Sequence, residues 1–340
     1  MEQLNFVNLI QAGAAAVGIL GGLLLWSTKG KEYRGVSLLL LLTAIASVIN
    51  ILEESGITRD IYLISPVFIM LFGPATYLAI KFLIDKRLAS IQLLHLVPVF
   101  LFVGLTPYLQ LVIALGTMWR LAYALLTVQL LLQYRRWLDE QRSDSDELSL
   151  NWLVWILLLT AGFNLVDLVR LNIQHWLPYQ LNVLGQAVNN AVWLIAAMVI
   201  IIKLQQQAKV PSHHSLNLAT NSEQGGAAEY GTIFTELDQL MQTHRWYLQP
   251  RLSLSDVSRQ TGLQSRDISR AINLHAEKSF NEYINNYRVD YVCNELTSNQ
   301  PKSLLEISAD AGFSSKASFN KVFKQFTKLT PSQYKARQHV

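Results

Sequence analysis

The sequence predicts an all-α chain in two parts: a polytopic transmembrane helical bundle, then a soluble domain containing two helix-turn-helix units. Three observations lead there. Charged residues make up only 15% of the 340 residues and hydrophobic ones 51%, where a soluble domain carries about 25% charged residues. From Leu4 to Ile202 the charges come in short clusters between long apolar runs, and after Glu229 the composition is that of an ordinary soluble protein. In that later part a short helix, a glycine turn and a second short helix occur twice. The length suffices for two domains. The formal net charge of +4 suits either a nucleic-acid partner or the positive bias of a membrane protein's inner loops, and by itself selects neither.

A helix needs about 20 apolar residues to cross the hydrocarbon core. Seven runs qualify: Leu4–Thr28, Gly35–Leu52, Ile61–Ile84, Leu88–Leu105, Thr117–Tyr134, Leu148–Leu168 and Leu181–Lys203. They place a seven-helix domain over residues 1–204. The first run is expected to be retained and not to act as a signal peptide, because Met1-Glu2-Gln3 carries an acid in place of a basic leader. Within the fifth, Leu109–Leu132 is apolar except for Arg120 and a few glutamines. An unpaired arginine in lipid is costly, so the helix is expected to start near Arg120, with Leu109–Gly116 at the interface. Pro66, Pro74 and Pro98 fall within the third and fourth runs and are expected to kink them.

Lysine and arginine counts orient the bundle. Lys29, Lys31 and Arg34 follow the first run, Lys86 and Arg87 the third, Arg135, Arg136 and Arg142 the fifth, and Lys203 and Lys209 the seventh. The alternate segments hold only Arg59, Arg120 and Arg170. The N-terminus is therefore expected outside and the C-terminal domain in the cytoplasm, as an odd number of crossings requires. Trp119, Trp137, Trp152 and Trp176 lie near the proposed ends, as interfacial anchors do.

Polar residues inside the runs have two readings. Asn50 and Glu53 end the second run and His95 lies in the fourth. Asn164, Asp167 and Arg170 recur along one side of the sixth, and Asn189 and Asn190 sit in the seventh. Such groups face the bundle or water, either bonding between helices or lining a ligand pocket open to the outside. The candidate sensing residues are Asn164, Asp167, Arg170, Asn189 and Asn190. The loops are too short to fold as a sensor, so a stimulus would be read by the bundle, the bilayer or a partner protein.

Residues 205–229 are polar, contain Pro211 and Gly225-Gly226, and lack apolar periodicity; a flexible tether is expected. His213-His214 have no cysteine or carboxylate at ligand spacing, so no metal site is expected. Cys293 is the single cysteine, which excludes an intrachain disulfide.

From Tyr230 to residue 340 the apolar spacing turns helical. Ile233, Leu237, Leu240 and Met241 form one stripe, ended at Trp246-Tyr247-Leu248. Ser255 is expected to cap a short helix to Thr261, Gly262 to turn the chain, and Ser265 to cap a second helix to Leu274. That helix puts Ile268 and Ile272 inward and leaves Arg266, Ser269, Arg270 and Asn273 outward. The pattern returns with Ser303 capping Leu304–Ala311, a turn at Gly312-Phe313, and Ser315 capping Lys316–Phe326. The two helix-turn-helix units thus occupy 255–274 and 304–326, joined by one longer helix over Ser279–Leu296. A helix-turn-helix places its second helix in a major groove. After Asp310 there are no acids, and Lys316, Lys321, Lys324, Lys328, Lys335 and Arg337 suit a phosphate backbone.

This last third resembles the DNA-binding domain of AraC/XylS-type transcription activators. The resemblance rests on Leu254-Ser255-Asp256-Val257-Ser258, Ile268-Ser269-Arg270-Ala271-Ile272-Asn273, the run from Phe280 to Val289, and Ile307 through Gly312-Phe313 to Lys324, closed by Leu329-Thr330-Pro331-Ser332-Gln333-Tyr334. The chain departs from the family at Glu277 and Lys328, where glycine is common, so both turns must accept a Cβ. By position, the resemblance implies base reading by Arg266, Arg270 and Asn273 in the first unit. In the second it implies Ser315, Lys316, Ser318 and Asn320, with Lys321, Lys324 and Lys328 on phosphates. Arginine suits guanine and asparagine suits adenine.

No nucleophile–base–acid set, metal-ligand spacing or phosphate-cradling glycine loop is visible, so no catalytic residue, cofactor or metal is expected. The spans show no inverted repeat of the transporter kind. A receptor acting only through a protein partner would not need the two polar outward faces. The expectation is a membrane-bound, sequence-specific DNA-binding transcription regulator of a bacterial inner membrane. Its expected partners are double-stranded DNA at an operator, the bilayer, a second copy of the chain as a homodimer, a small-molecule or membrane-derived ligand, and RNA polymerase if it activates.

Overall fold

The computed structural model describes residues 6–58, 63–106, 108–207, 210–212, 227–298 and 302–338. Among these residues all regular structure is helical, apart from one isolated bridge between Arg142 and Ser253. The chain divides into two units: Met1–Gln133 with Leu150–His214, and Tyr134–Ser149 with Ser215–Val340. Arg59, His213, His214 and most of the expected tether lie outside the described residues.

In chain order the first helices are α1 (Phe6–Thr28), α2 (Arg34–Glu54), α3 (Ser65–Asp85), α4 (Val97–Val103), α5 (Leu109–Gln141), α6 (Ser145–Leu148), α7 (Asn151–Ile173) and α8 (Tyr179–Gln206). Residues from Tyr134 to Ser149, which include the last turns of α5 and all of α6, belong to the second unit. Among the described residues six helices are long and apolar enough to cross a membrane: α1, α2 with its preceding turn, α3, α5, α7 and α8. Their outward side chains include Leu20 at 69% and Trp155 at 73% exposure, a surface that suits lipid.

The run expected as a fourth long helix is instead a 3-10 stretch, Ser90–Leu96, followed by the short α4. Pro98 lies in the first turn of α4 and Pro66 in the first turn of α3, where a missing N–H costs nothing. Of the three, only Pro74 is inside a helix, so the expected kinks do not apply at Pro66 and Pro98. The segment still has a long way to travel. A Cβ on Gly116 would sit 2.8 Å from Ile69, and one on Gly73 3.2 Å from Arg120 Cα, so α3 and α5 run parallel. The chain from Lys86 to Tyr108 therefore returns from the C-terminal end of α3 to the N-terminal end of α5. At about 2.0 Å per 3-10 residue and about 1.5 Å per α residue, Ser90–Val103 spans roughly 25 Å.

α1 is the hub of the bundle because glycine lets two neighbours approach it. A Cβ on Gly18 would meet Leu40 O at 2.6 Å, and one on Gly22 would meet Ser37 O at 3.0 Å, both on α2. On another face Gly13 meets Leu194 and Gly21 meets Ile201, so α1 and α8 are parallel. Lys29 Nζ donates to Gln205 O at 2.8 Å and ties their C-terminal ends. α7 is antiparallel to α8: Trp152 Nε1 donates to Gln207 Oε1 at 3.3 Å at one end, and Arg170 bonds to Asn182 at the other. The buried Glu53 accepts from the backbone N–H groups of Ile64 and Ser65 at 2.6 and 3.0 Å, satisfying the start of α3.

Arg120 corrects another expectation. It lies inside α5, which begins at Leu109 and not near Arg120. It is tolerated because Nη2 donates to Asn164 Oδ1 at 2.6 Å and the guanidinium lies 4.8 Å from the Trp193 ring centroid.

The second unit continues with α9 (Ala227–His244), α10 (Leu254–Thr261), α11 (Ser265–His275), α12 (Phe280–Thr297), α13 (Leu304–Asp310), α14 (Lys316–Thr327) and α15 (Pro331–Gln338). It has two cores. Leu237, Met241, Val257, Ile268, Ile272 and Ile284 build the first; Val292, Leu296, Ile307, Phe319, Val322 and Phe323 build the second. α12 supplies its first half to one and its second half to the other. Two caps differ from expectation. Ser253, not Ser255, caps α10, because its extended backbone lets Oγ accept from Asp256 N at 3.2 Å while Asp256 returns to Ser253 N at 3.0 Å. α11 begins at Ser265 after Gln264, which makes no side-chain cap. Ser303, Ser315 and Ser279 cap α13, α14 and α12.

Candidate nucleic-acid interface

Each recognition helix is presented by a turn that fixes its angle. In the first unit Gly262 turns the chain at φ +74° between α10 and α11. In the second, Gly312 has φ +82°, and a Cβ there would fall 2.5 Å from Leu248 O, so glycine is required for both conformation and space. After the recognition helices, Glu277 at φ +52° and Lys328 at φ +62° adopt the left-handed turn without glycine. Both departures noted in the sequence are thus accommodated with the turns kept.

α11 buries Ile268, Ala271 and Ile272, which turns Arg270 and Asn273 to solvent. The Arg270 guanidinium lies over the Tyr230 ring, 5.2 Å from its centroid, a cation–π contact. Arg266 is half-buried beside Asp267 at 3.2 Å. α14 buries Phe319, Val322 and Phe323 and exposes Lys316, Asn320, Lys321 and Lys324. Ser315 Oγ is engaged as the cap, accepting from Ser318 N at 3.2 Å, and both serines are half-buried. Lys328 ends the helix, exposed, with Nζ donating to Gln325 O at 2.9 Å.

The two units are pinned together by Arg288 of α12. Its Nε donates to Tyr247 O at 2.7 Å and its Nη2 to Gln249 O at 2.9 Å. Burial pulls the guanidinium pKa down to about 10, against the opposing pull of Asp144 and Glu147, so it stays charged.

Sequence reasoning missed the acids that meet these faces. Within this unit Glu140 Oε2 accepts from Ser269 Oγ at 3.0 Å and Asn273 Nδ2 at 3.3 Å. Asp146 Oδ1 accepts from Lys321 Nζ and from Arg135 Nη2, each at 2.7 Å. Glu147 Oε1 accepts from Ser314 Oγ at 2.9 Å. Burial would raise the Asp146 carboxyl, but Lys321 and Arg135 outweigh it and hold the group below the usual carboxylate range. The available signal was compositional: Asp139-Glu140 and Asp144, Asp146 and Glu147 crowd one short segment, opposite a domain whose last thirty residues lack acids.

The candidate sensing residues separate into two places. Asn189 and Asn190 line a cavity of about 440 Å³ inside the bundle, together with Arg120 and Trp193. Asn164 reaches it through Arg120. Asp167 and Arg170 pair at 2.7 Å near the end of α7, with Arg170 also bonded to Asn182, away from that cavity's lining. Among the described residues no group of three His, Cys, Asp or Glu could hold a metal ion.

Comparison with known proteins converges on the same region. A helix-turn-helix domain model matches residues 257–337. An uncharacterized HTH-type transcriptional regulator of Staphylococcus aureus (strain COL) is 33% identical over 84 residues, 25% of this chain and 11% of the relative. A second, from strain MSSA476, gives the same identity and coverage. The chain thus spans about a ninth of the length of the curated relatives it matches. No solved structure matches the chain. The chain combines a helix-turn-helix domain of the transcriptional-regulator kind with a set of long apolar helices, an arrangement consistent with membrane association and a regulatory function.

Proposed function

We propose that this chain is a membrane-bound, sequence-specific DNA-binding transcription regulator of the AraC/XylS type, passing a signal read by its bundle to gene expression. The observation that carries the reading is the paired display: α11 and α14 both follow a tight turn, both expose cations and amides, and both are held by the single helix α12. Arg266, Arg270 and Asn273 would read one major groove, and Ser315, Lys316, Ser318 and Asn320 the next. Lys321, Lys324 and Lys328 would hold phosphates.

In this reading residues 1–204 form seven crossings, 205–229 the tether and 230–340 the DNA-binding domain. The parallel course of α3 and α5 supports a crossing by Ser90–Val103. The N-terminus then lies outside the inner membrane and the C-terminal domain in the cytoplasm. A homodimer would favour paired DNA sites, because a second contact made within a dimer has a high effective concentration. RNA polymerase is a partner if the chain activates. Ligand binding in the bundle, with Asn164, Asn189 and Asn190 near the cavity and Asp167 and Arg170 apart from it toward the end of α7, would bias one packing over another.

The test is a mobility shift of segment 227–340 against a randomised duplex pool, followed by genome-wide occupancy of the full chain. Enrichment of one bipartite sequence is expected, with two half-sites about one helical turn apart. Binding that tracks only duplex length would overturn the reading.

A further inference from the structure

We propose that the bundle cavity holds a single-chain amphiphile with an anionic head, seated on Arg120. This deepens the sensing role above and depends on it only for its consequence. Arg120 is half-buried within α5, with its Nε fully buried, and it lines the cavity. Among the described residues it donates to the neutral Asn164 and faces the Trp193 ring, and no carboxylate pairs with it; Asp167 is bonded to Arg170. Its Nε has no hydrogen-bond partner among the described residues. On the same cavity wall Gln11 Oε1, Asn189 Oδ1, Asn190 Nδ2 and Trp193 Nε1 are also buried and without a partner.

A buried cation with unused donors around it is costly unless something anionic joins it. The guanidinium Nε, the Asn190 amide and the Trp193 indole N–H are the donors a carboxylate or phosphate oxygen requires. Toward the C-terminal ends of α3 and α8 the cavity is walled by Leu40, Ile80, Leu83, Ile200 and Leu204, with no ionisable group. That half would take an alkyl tail, and the cavity of about 440 Å³ is in the range of small-molecule sites.

The experiment uses the full chain in phosphatidylcholine nanodiscs, with dodecanoate, dodecyl phosphate and dodecanol as probes. Saturable binding of an anionic probe, at least tenfold tighter than dodecanol, is expected. Arg120→Gln should remove that preference. Ala197→Phe, which fills the cavity and leaves Arg120 itself unchanged, should weaken the anionic probes at least tenfold at normal membrane level, and it decides the matter if Arg120→Gln fails to fold. A preference for dodecyl phosphate assigns the head to a lipid-phosphate source, and a preference for dodecanoate to a free fatty acid; either keeps the site. Equal binding of the alcohol, or unchanged binding by Ala197→Phe, overturns it. Operator binding is scored separately on the same preparation. A chain that takes the anion but no DNA keeps this site and loses the regulator reading.

An independent observation carries a second inference: the segment Asp139–Glu147 is a built-in mask over the DNA-reading faces. Three carboxylates lie on both recognition units at once, Glu140 on Ser269 and Asn273, Asp146 on Lys321, and Glu147 on Ser314. Asn273 and Lys321 are among the residues assigned above to base and phosphate, and the carboxylates present the same acceptor chemistry. The segment is seated by more than charge. Asn281 Nδ2 donates to Ser143 O at 2.8 Å, Arg288 Nη2 to Ser143 Oγ at 3.2 Å, and Ser143 N to Leu252 O at 3.0 Å. Because the segment is continuous with α5 and leads into α7, a repacking of the bundle can withdraw it. This inference rests on the DNA-binding reading.

Its test is operator affinity of the full chain in nanodiscs. The combined variant Glu140→Gln, Asp146→Asn, Glu147→Gln should bind at least tenfold tighter. The combined variant Glu229→Gln, Glu236→Gln, Asp290→Asn has the same net charge and removes no ion pair to a recognition helix among the described residues, and it should change affinity less than threefold. Equal gains in both would show a general charge effect and overturn the mask, as would no gain in the first. If the first variant misfolds, Glu147→Cys with Ser314→Cys still decides: the crosslinked chain should lose operator binding and regain it on reduction. Binding unaffected by the crosslink would overturn the mask.

Discussion

Arg288 Nε donates to the carbonyl of Tyr247 at 2.7 Å, from a side chain only 2% exposed. The same guanidinium serves Gln249 O and lies 5.6 Å from the Phe313 ring, so one residue joins the turn before α10 to the turn before α14. Arg288→Met would leave two carbonyls without their donor. A loss of about 3 kcal/mol is expected, read as a lower urea midpoint for segment 227–340. An unchanged midpoint would mean that the pin carries no stability.

Reading and positioning should separate. Arg270→Ala is expected to relax base preference in one half-site and to cost about 1–3 kcal/mol there. Lys324→Ala should weaken all sequences about equally and reduce the salt slope by about one. A full salt titration on matched and mismatched duplexes measures both, and identical behaviour of the two variants would contradict the assignment.

The left-handed turns make a signed prediction. Glu277 and Lys328 hold φ of +52° and +62° with a Cβ present, a conformation that costs about 1 kcal/mol relative to glycine. Glu277→Gly and Lys328→Gly should therefore each be neutral or stabilising by up to about 1 kcal/mol in thermal unfolding. Gly312→Ala should go the other way by several-fold more, because its Cβ would meet Leu248 O at 2.5 Å.

Topology is open to a direct check. A reporter active only in the cytoplasm should work when fused after Arg87 or at Val340, and fail after Arg59 or Gly104. Activity after Arg59 would reverse the orientation drawn from the lysine and arginine distribution. Activity after Gly104 would show that Ser90–Val103 does not cross.

What the sequence made legible was whatever local patterning decides. Long apolar runs and the 3.6-residue spacing of Ile268 and Ile272, or Phe319 and Phe323, suffice to mark helices and their buried sides. Cap choice was harder, since Ser253 and Ser255 are equally good residues and only the backbone at Ser253 is extended. Arg120 defeated the sequence reading because its tolerance depends on Asn164 and Trp193, far away in the chain. The same holds for Glu140, Asp146 and Glu147, which read as ordinary loop acids until the fold brings Asn273, Lys321 and Ser314 to them. Contacts that depend on tertiary placement leave no periodic trace.

The glycines of α1 also bear on how the protein is made. Gly18 and Gly22 bring α1 against α2, while Gly21 meets Ile201 of α8. The α1–α2 hairpin can pair as soon as both helices have left the ribosome, by the close small-residue packing that suits helices in lipid. The α1–α8 seam has to wait until everything between them has been synthesised. The bundle, and with it the chamber around Arg120, is therefore closed only when translation has reached the residues just ahead of the soluble domain. A nascent chain stalled before α8 would carry an open seam that quality-control proteases can enter, so Gly21→Leu should shorten the lifetime of the newly inserted protein.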